Sequence, residues 1–398
     1  MRVLAAAMAI LLTVGGCYHA PETIIRPGPL PPLSRPPAPV VTGEPTIRVR
    51  LTAGKTAFLS SGKGLTLVAG ALRRSVAPNQ PIQVRLEANC IVATGDGLPL
   101  RTADTLAVTT AEGSFIRVGD RSYRGRMLLY RSTDGDLSVV NVIGLEDYLL
   151  GVVPCEIGPI NVRTLEAAKA QAVTARSFTL ARLGRRKGLG HDVFDSFVRD
   201  QEYRGIERET ELSRRAVSAT RGEVIEVGDE VCEALYHGNC GGTTANGSKP
   251  YLKSIPDTPG RRRDRRAYCS GKPNYSWQTS FGRDSLDAVA SRLAGKGCRV
   301  RTVSLETDRE SGRVKYLHLA TDHGSLRITG SDFRAAMGLR STAFTVSIRG
   351  RIVSFTGRGW GHGSGMCQDG AIAMAETGAS YREILQQYYS GVSLRKRY

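Results

Sequence analysis

Asn161-Val-Arg-Thr-Leu165-Glu-Ala-Ala-Lys169-Ala-Gln-Ala-Val-Thr-Ala-Arg176-Ser-Phe-Thr-Leu-Ala-Arg182-Leu-Gly184 is the stretch where the pattern of this chain changes. Leu165, Ala168, Ala172, Ala175, Thr179 and Leu183 recur at helical spacing, and no Gly or Pro interrupts them before Gly184. Arg182, Arg185, Arg186 and Lys187 suit the negative end of a helix dipole, and Gly188 supplies a stop. The spacing predicts a helix from Asn161 to Lys187.

Upstream the period is two. Ile47–Leu51, Ile82–Leu86 and Phe115–Val118 alternate apolar and polar residues between Gly, Asp and Asn, as half-buried antiparallel strands do. Met127–Tyr130 and Leu137–Asn141 flank Thr133-Asp-Gly-Asp, which reads as a hairpin. Downstream, helices are predicted near Glu209–Ala219, at Ser285–Leu293 and after the capping box Ser380-Tyr-Arg-Glu383. Strands are predicted at Val224–Val227, Glu233–His237, Val300–Leu305, Val314–Leu319, Leu326–Ile328 and Phe344–Ile348. Without regular βαβ alternation, the fold class is α+β: an antiparallel β-rich N-terminal part, then a mixed helix and strand domain around a cleft.

The first residues read as an export signal. Arg2 precedes an apolar run, Val3 to Val14, that is shorter than the about 20 residues a membrane helix needs. It ends in Gly15-Gly16-Cys17, and Val14-Gly-Gly-Cys17 resembles the bacterial lipobox, whose cysteine is lipidated. The expected localisation is therefore extracytoplasmic, on a membrane through a lipid at Cys17. Tyr18 to Pro45 holds 9 of the 18 prolines and reads as an extended spacer. The expected organisation is a signal peptide at 1–17, a Pro-rich linker at 18–45, a β-rich region at 46–130 and a catalytic domain at 131–398.

The net charge is +18, and the densest basic run is Arg261-Arg-Arg-Asp-Arg-Arg266. An exported basic protein meets the acidic polymers of a cell envelope rather than nucleic acid. The eight cysteines become seven if Cys17 is lipidated, an odd number that leaves one thiol free or bound to metal.

Several residues can carry chemistry. Glu156, in the apolar run Gly151-Val-Val-Pro-Cys155-Glu156, is placed at a strand-to-helix transition, where desolvation raises a carboxyl pKa toward that of a general acid. Lys169 and Arg176 are seven apart on one helix face, fit to hold an acidic substrate or to settle the charge on Glu156. Glu146 and Asp147, at a helix start, serve the fold. His237-Gly-Asn-Cys240 has a spacing that lets two side chains reach one metal, with Cys269, or less favourably Cys232, as a further ligand. Zinc in a structural site takes four ligands, and the alternative is a Cys240–Cys269 disulfide with His237 merely packed. The glycine-rich segment Gly357–Gly370 lacks the Lys-Ser/Thr of a phosphate loop, which excludes nucleotide binding, and offers either a tight turn or a cleft wall with His362 facing a ligand.

Five segments taken together resemble the SpoIID/LytB family of bacterial cell-wall proteins. They are Asn141–Glu156, Ala168–Phe178, Asp200–Gly205, His237–Thr244 and Gly361–Ala371, followed by Tyr381–Tyr389. Cys155 and Cys367 depart from the family pattern, which has a small or acidic residue and a serine there. The sporulation branch implies a lytic transglycosylase that cleaves between N-acetylmuramic acid and N-acetylglucosamine and leaves a 1,6-anhydro end. The resemblance implies Glu156 as the catalytic residue, with Lys169, Arg176, Gln201, Tyr203, His362 and Gln368 binding substrate. It implies a structural zinc at His237, Cys240 and Cys269, with no cofactor required for the chemistry. Expected partners are peptidoglycan strands and a cell-wall amidase. The runner-up is a non-catalytic wall binder that enhances a separate amidase. A thiol enzyme using Cys155 or Cys240 lacks a clear Cys-His-Asn arrangement.

Overall fold

The computed structural model describes residues 43–196 and 198–398. The signal peptide, Cys17 and nearly all of the Pro-rich linker lie outside the described residues.

The alternating segments form two antiparallel sheets that share one core. In the first, of seven strands, Thr46–Gly54 pairs with Leu137–Gly144, and the order continues through Arg126–Arg131, Leu106–Thr109 and Leu65–Ala69 to Leu72–Val76. Its other edge is the short parallel strand Val193–Phe194. The second sheet has six strands and centres on Thr56–Ser60 and Ile82–Glu87. Inward residues of both, such as Val49, Leu67 and Leu129 from the first and Leu59, Val84 and Ile116 from the second, belong to one apolar cluster. The sheet continues across position 130, because the predicted hairpin joins the two sides of that boundary. Leu137–Ile143 is buried on both faces: one face closes the sheet core, and the other is covered by helices.

Those helices are α1 (Leu145–Glu156), α2 (Leu165–Arg182) and α3 (Glu211–Ala219), with two from the C-terminal end described below. Helix α2 is central and buried almost all round, which its alanines permit. It starts later than predicted because the Asn161 carboxamide oxygen accepts the backbone N–H groups of Arg163 (2.9 Å) and Thr164 (3.2 Å). That local turn competes with the helix. Helix α2 also ends early. Arg182 and Arg186 pair with Asp200, and Arg182 and Arg185 with Glu233, so these cations serve tertiary ion pairs beyond the dipole role expected of them.

A second apolar cluster lies between Trp277 and Phe355. Its three-stranded sheets, Ser276–Gly282 with Ile352–Arg358 and Phe344–Arg349, and Val300–Thr307 with Val314–Thr321 and Gly324–Thr329, pack with α4 (Arg283–Ala294) and α5 (Gly330–Met337). The chain then returns to the first core through α6 (Gln368–Glu376) and α7 (Tyr381–Tyr388), the latter opened by the predicted Ser380–Glu383 capping box. The architecture is α+β. No helix among the described residues is long and apolar enough to cross a membrane.

Candidate functional site

Glu156 is the last residue of α1, not a residue at a strand-to-helix transition: that transition falls earlier, at Gly144. Pro154 stands in the last turn, where it lacks the N–H that would reach the Leu150 carbonyl, and the helix stops two residues on. Gly151 lets the helix press against its neighbours, since a Cβ there would stand 2.5 Å from the Gly205 carbonyl oxygen and 2.7 Å from the Tyr203 ring. The Glu156 carboxyl is 8% exposed, and its Oε1 accepts the Glu202 backbone N–H at 2.8 Å. Its carbonyl accepts the Gln368 amide at 2.8 Å, which ties α1 to the start of α6. Cys155 donates its S–H to the Gly151 carbonyl (3.1 Å), and burial, with Glu202 and Glu156 adding, pushes its pKa up to about 12. A thiol held protonated in this way is a poor nucleophile.

The substrate-binding expectation is corrected at several positions. Arg176 is 0% exposed and forks onto Glu146, with Nε to Oε1 at 2.8 Å and Nη2 to Oε2 at 2.7 Å. Burial opposes charge on Glu146, but Arg176, Tyr398 (2.5 Å) and the Gly222 N–H overcome it and hold the carboxyl below its ordinary range. Seven-residue spacing did put Lys169 and Arg176 on one face, but that face looks inward. Lys169 is half-buried and pairs with Glu166 at 2.6 Å. Gln201 is fully buried, donating to the Tyr236 hydroxyl and accepting from Thr179 and Tyr148. Tyr203 is buried and donates to Asn141 at 3.0 Å. Gln368 is buried against Glu156 and Gln171. Of these groups, Gln368 bonds to the Glu156 carbonyl and the Tyr203 ring packs on Gly151 of the same helix.

His362 is half-buried, with Nε2 2.9 Å from the Tyr236 carbonyl and Nδ1 accepting the Ser364 N–H at 3.1 Å. These partners specify the tautomer with the proton on Nε2. The ring stands 5.5 Å from that of His237. The glycines of this segment serve close packing. At Gly363, where φ is +89°, a Cβ would collide with the guanidinium of Arg313.

The expected metal set is also corrected. His237 turns away: its Nδ1 meets the Ser364 carbonyl at 3.1 Å, and burial, reinforced by the charge of Arg313, pushes its pKa down to about 3. Cys232 is buried elsewhere. The ligand-bearing atoms of Cys240, Asp257, Cys269 and Cys367 instead lie within 4.8 Å of one another, and all four residues are buried. The Cys240 and Cys269 sulfurs are 3.5 Å apart as separate thiols. The S–H groups of Cys240 and Cys367 hold the Cys269 pKa down to about 3, whereas burial keeps those two donors high. The cluster joins four segments. Asp257 also accepts the Tyr388 hydroxyl of α7 (2.6 Å) and the Cys269 N–H (3.1 Å), and Cys367 caps α6 by accepting the Gly370 N–H.

Arg313, which the sequence reading missed, enters from the second core. It is buried, donating from Nη2 to the Cys240 carbonyl at 3.0 Å and from Nη1 to the Gly361 carbonyl at 3.3 Å. Burial lowers its pKa to about 10, so it stays cationic.

A family model described as Stage II sporulation protein matches residues 133–226, the span that holds α1, α2 and Glu156. Stage II sporulation protein D of Bacillus amyloliquefaciens is 30% identical over 67% of this chain and 77% of its own length. The chain belongs to the SpoIID/LytB family. An uncharacterized protein of Brachyspira hyodysenteriae is 28% identical over 87% of the chain and 92% of its own length. The amidase enhancer of Bacillus subtilis is 28% identical over 62% of the chain but only 40% of its own length. A second model, a domain of unknown function (DUF8618), matches residues 267–365, which encloses the second core, so this SpoIID/LytB protein carries a further matched module between its Cys240 and Cys367 loops.

Proposed function

We propose that this protein is a peptidoglycan lytic transglycosylase in which Glu156 is both general acid and general base. The observation that supports it most directly is a nearly buried carboxyl, oriented by the Glu202 N–H, at the end of a helix fixed by Gln368. A general acid must be held within reach of the atom it protonates, and this carboxyl is held in place. The Glu156 carboxyl donates its proton to the glycosidic oxygen as the bond from muramyl C1 to that oxygen breaks. The resulting carboxylate takes the proton of the muramyl 6-hydroxyl as O6 bonds to C1. One proton leaves and one returns, no water is consumed, and one carboxyl suffices where a hydrolase uses two. Glu156→Gln is expected to retain fold and glycan binding and to yield no 1,6-anhydromuramyl product from purified glycan strands by mass spectrometry. Turnover retained in that variant refutes the assignment.

The likeness to an amidase enhancer favours a second reading, a wall-binding protein that stimulates a separate amidase. Amidase stimulation without anhydro products would select it. Both readings place the protein outside the cytoplasm, in the cell envelope and tethered through a lipid on Cys17.

The thiol cluster fits a structural zinc better than the expected His237 set does. Cys240, Cys269, Cys367 and Asp257 supply four donors of the right chemistry, and the buried Arg313 cation balances negative charge there. A bound zinc would supply cross-linking of the segments around Gly241-Gly242 rather than activation of water. Elemental analysis is expected to find about one zinc per chain. Its removal by chelator is expected to lower Tm by roughly 10 °C or more.

A further inference from the structure

A cavity of about 340 Å³ opens beside the Gly241-Gly242 turn, and Arg263, Arg265, Arg266 and Arg358 line it together with Thr243 and Tyr275. No carboxylate lines it. The single acid of the basic run, Asp264, is taken by Arg262 at 2.7 Å. Glu310 accepts Arg263 only through its backbone carbonyl (3.1 Å), while its carboxylate accepts the Asn246 amide. Arg266 spends its Nε on the Ser270 hydroxyl at 3.0 Å. No ion pair joins any of these four arginines to an acid among the described residues.

The arginines at and just after the end of α2 are held differently, as is the buried Arg176 within it. Arg176, Arg182, Arg185 and Arg186 each face a carboxylate within 3.0 Å. Four like charges around one concavity repel each other unless an anion enters it. The wall is also shaped for access. Gly242, with φ of +103°, presents bare backbone, and a Cβ there would stand 3.3 Å from the Tyr275 hydroxyl. The volume lies within the range of small-ligand sites and exceeds what a lone inorganic ion fills. A guanidinium fork matches a carboxylate bidentately, so several forks around one pocket match a ligand with several carboxylates.

We propose that this pocket binds a short acidic peptide with at least two free carboxylates, namely the stem peptide that branches from peptidoglycan strands. The choice of peptide rests on the wall-polymer reading above, whereas the carboxylate chemistry stands on the arginines alone. Through Gly241 the pocket adjoins Cys240, so an occupied pocket bears on the loop that Arg313 and the thiol cluster hold.

The test is calorimetric titration of the purified full chain, in low and in moderate salt, with three probes: free stem peptide released by an amidase, the same peptide with its carboxylates amidated, and inorganic phosphate. The expected result is binding of the free peptide that weakens with salt, no binding of the amidated peptide, and a loss of roughly tenfold or more per arginine in Arg263→Ala and Arg265→Ala. Both side chains are at the surface, and an unchanged Tm checks the fold of the variants. Equal affinity in the double variant overturns the proposal, as does binding of phosphate without the peptide. Peptide-free glycan separates the two readings. Peptide binding that persists in Glu156→Gln, or in a protein without turnover, supports the pocket whatever becomes of the enzyme assignment. Cleavage of peptide-free strands with no peptide binding sinks the pocket alone.

Discussion

The end of α1 and the Cys240 loop flank the same site but are held by different means. Around Glu156 the backbone is fixed by helix packing and a closed polar network in which Arg176 answers Glu146 and Gln201 answers Thr179, Tyr148 and Tyr236. Around Cys240 there is little regular structure. A two-residue strand pairing, Tyr236–His237 with Met366–Cys367, is reinforced by three thiols, one carboxyl and an arginine from another core. The first device centres on two adjoining helices, with Gln201 and Tyr236 packed against them. The second gathers residues from across a long span of sequence, including a module inserted between its parts. The two should therefore fail differently.

The largest effect is expected at the first. Arg176→Ala leaves the Glu146 carboxylate buried beside Tyr398 and the Gly222 N–H with its main countercharge gone. Breaking a buried pair from one side costs about 3–5 kcal/mol. Urea unfolding should show that loss as a lower midpoint with an unchanged slope. The double change Glu146→Leu with Arg176→Met should recover much of it, since the desolvation of both ions disappears too. If the single variant unfolds at the wild-type midpoint, the polar network is not what fixes α1.

Arg313→Met is expected to be milder and more local. It strands the Cys240 and Gly361 carbonyls but also removes a desolvated cation, so a net cost of about 2 kcal/mol is expected. Amide hydrogen exchange should rise at 237–242 and 359–367, with protection in α1 and α2 unchanged. Equal loosening of both regions would mean that they form one unit and the comparison fails. Turnover should fall through kcat rather than KM if the loop positions the reacting groups without touching substrate.

The same contrast explains what was legible in the sequence. Period-two strands, the α2 helix and the Ser380 capping box are local signals, and each lies within a few residues of its predicted position. The motif that ends in Glu156 was legible because its residues adjoin in sequence, but Glu156 ends a helix instead of standing at a strand-to-helix transition. Arg176, Gln201 and Tyr203, expected to face substrate, are instead buried on or against the helices of the first core. A polar residue at a motif position suggests contact with substrate, yet α2 is buried on nearly every side and its polar groups satisfy one another. At the thiol cluster, H-x-x-C spacing drew attention to His237, whose ring instead turns toward Ser364, while Asp257 and Cys367 are near only in space. Arg313 gave no signal at all, since its partners are backbone carbonyls. The second core was not separated because the strands of 276–358 follow in the same short alternating style as those before them.

The last expected effect concerns pH and sets in at different values at the two devices. The native Glu146 pKa lies below its ordinary value, because Arg176 more than offsets burial. A depressed carboxyl contributes stability that is fully present above the unfolded pKa, near 4.5, and is lost as pH falls through the native value. Unfolding midpoints of the wild type should therefore drop on acidification below about pH 4. In Glu146→Leu with Arg176→Met that limb should be shallower. The Cys240 loop has an acid limb of its own from His237: burial pushes its native pKa down to about 3, so the unfolded imidazole takes up a proton near pH 6.5 that the native one refuses, and stability falls from there toward pH 3. Hydrogen exchange on acidification should consequently loosen the 237–242 loop first, from about pH 6 downward, and the α1–α2 junction only below about pH 4, and the reverse order would show that the acid-sensitive contacts lie elsewhere.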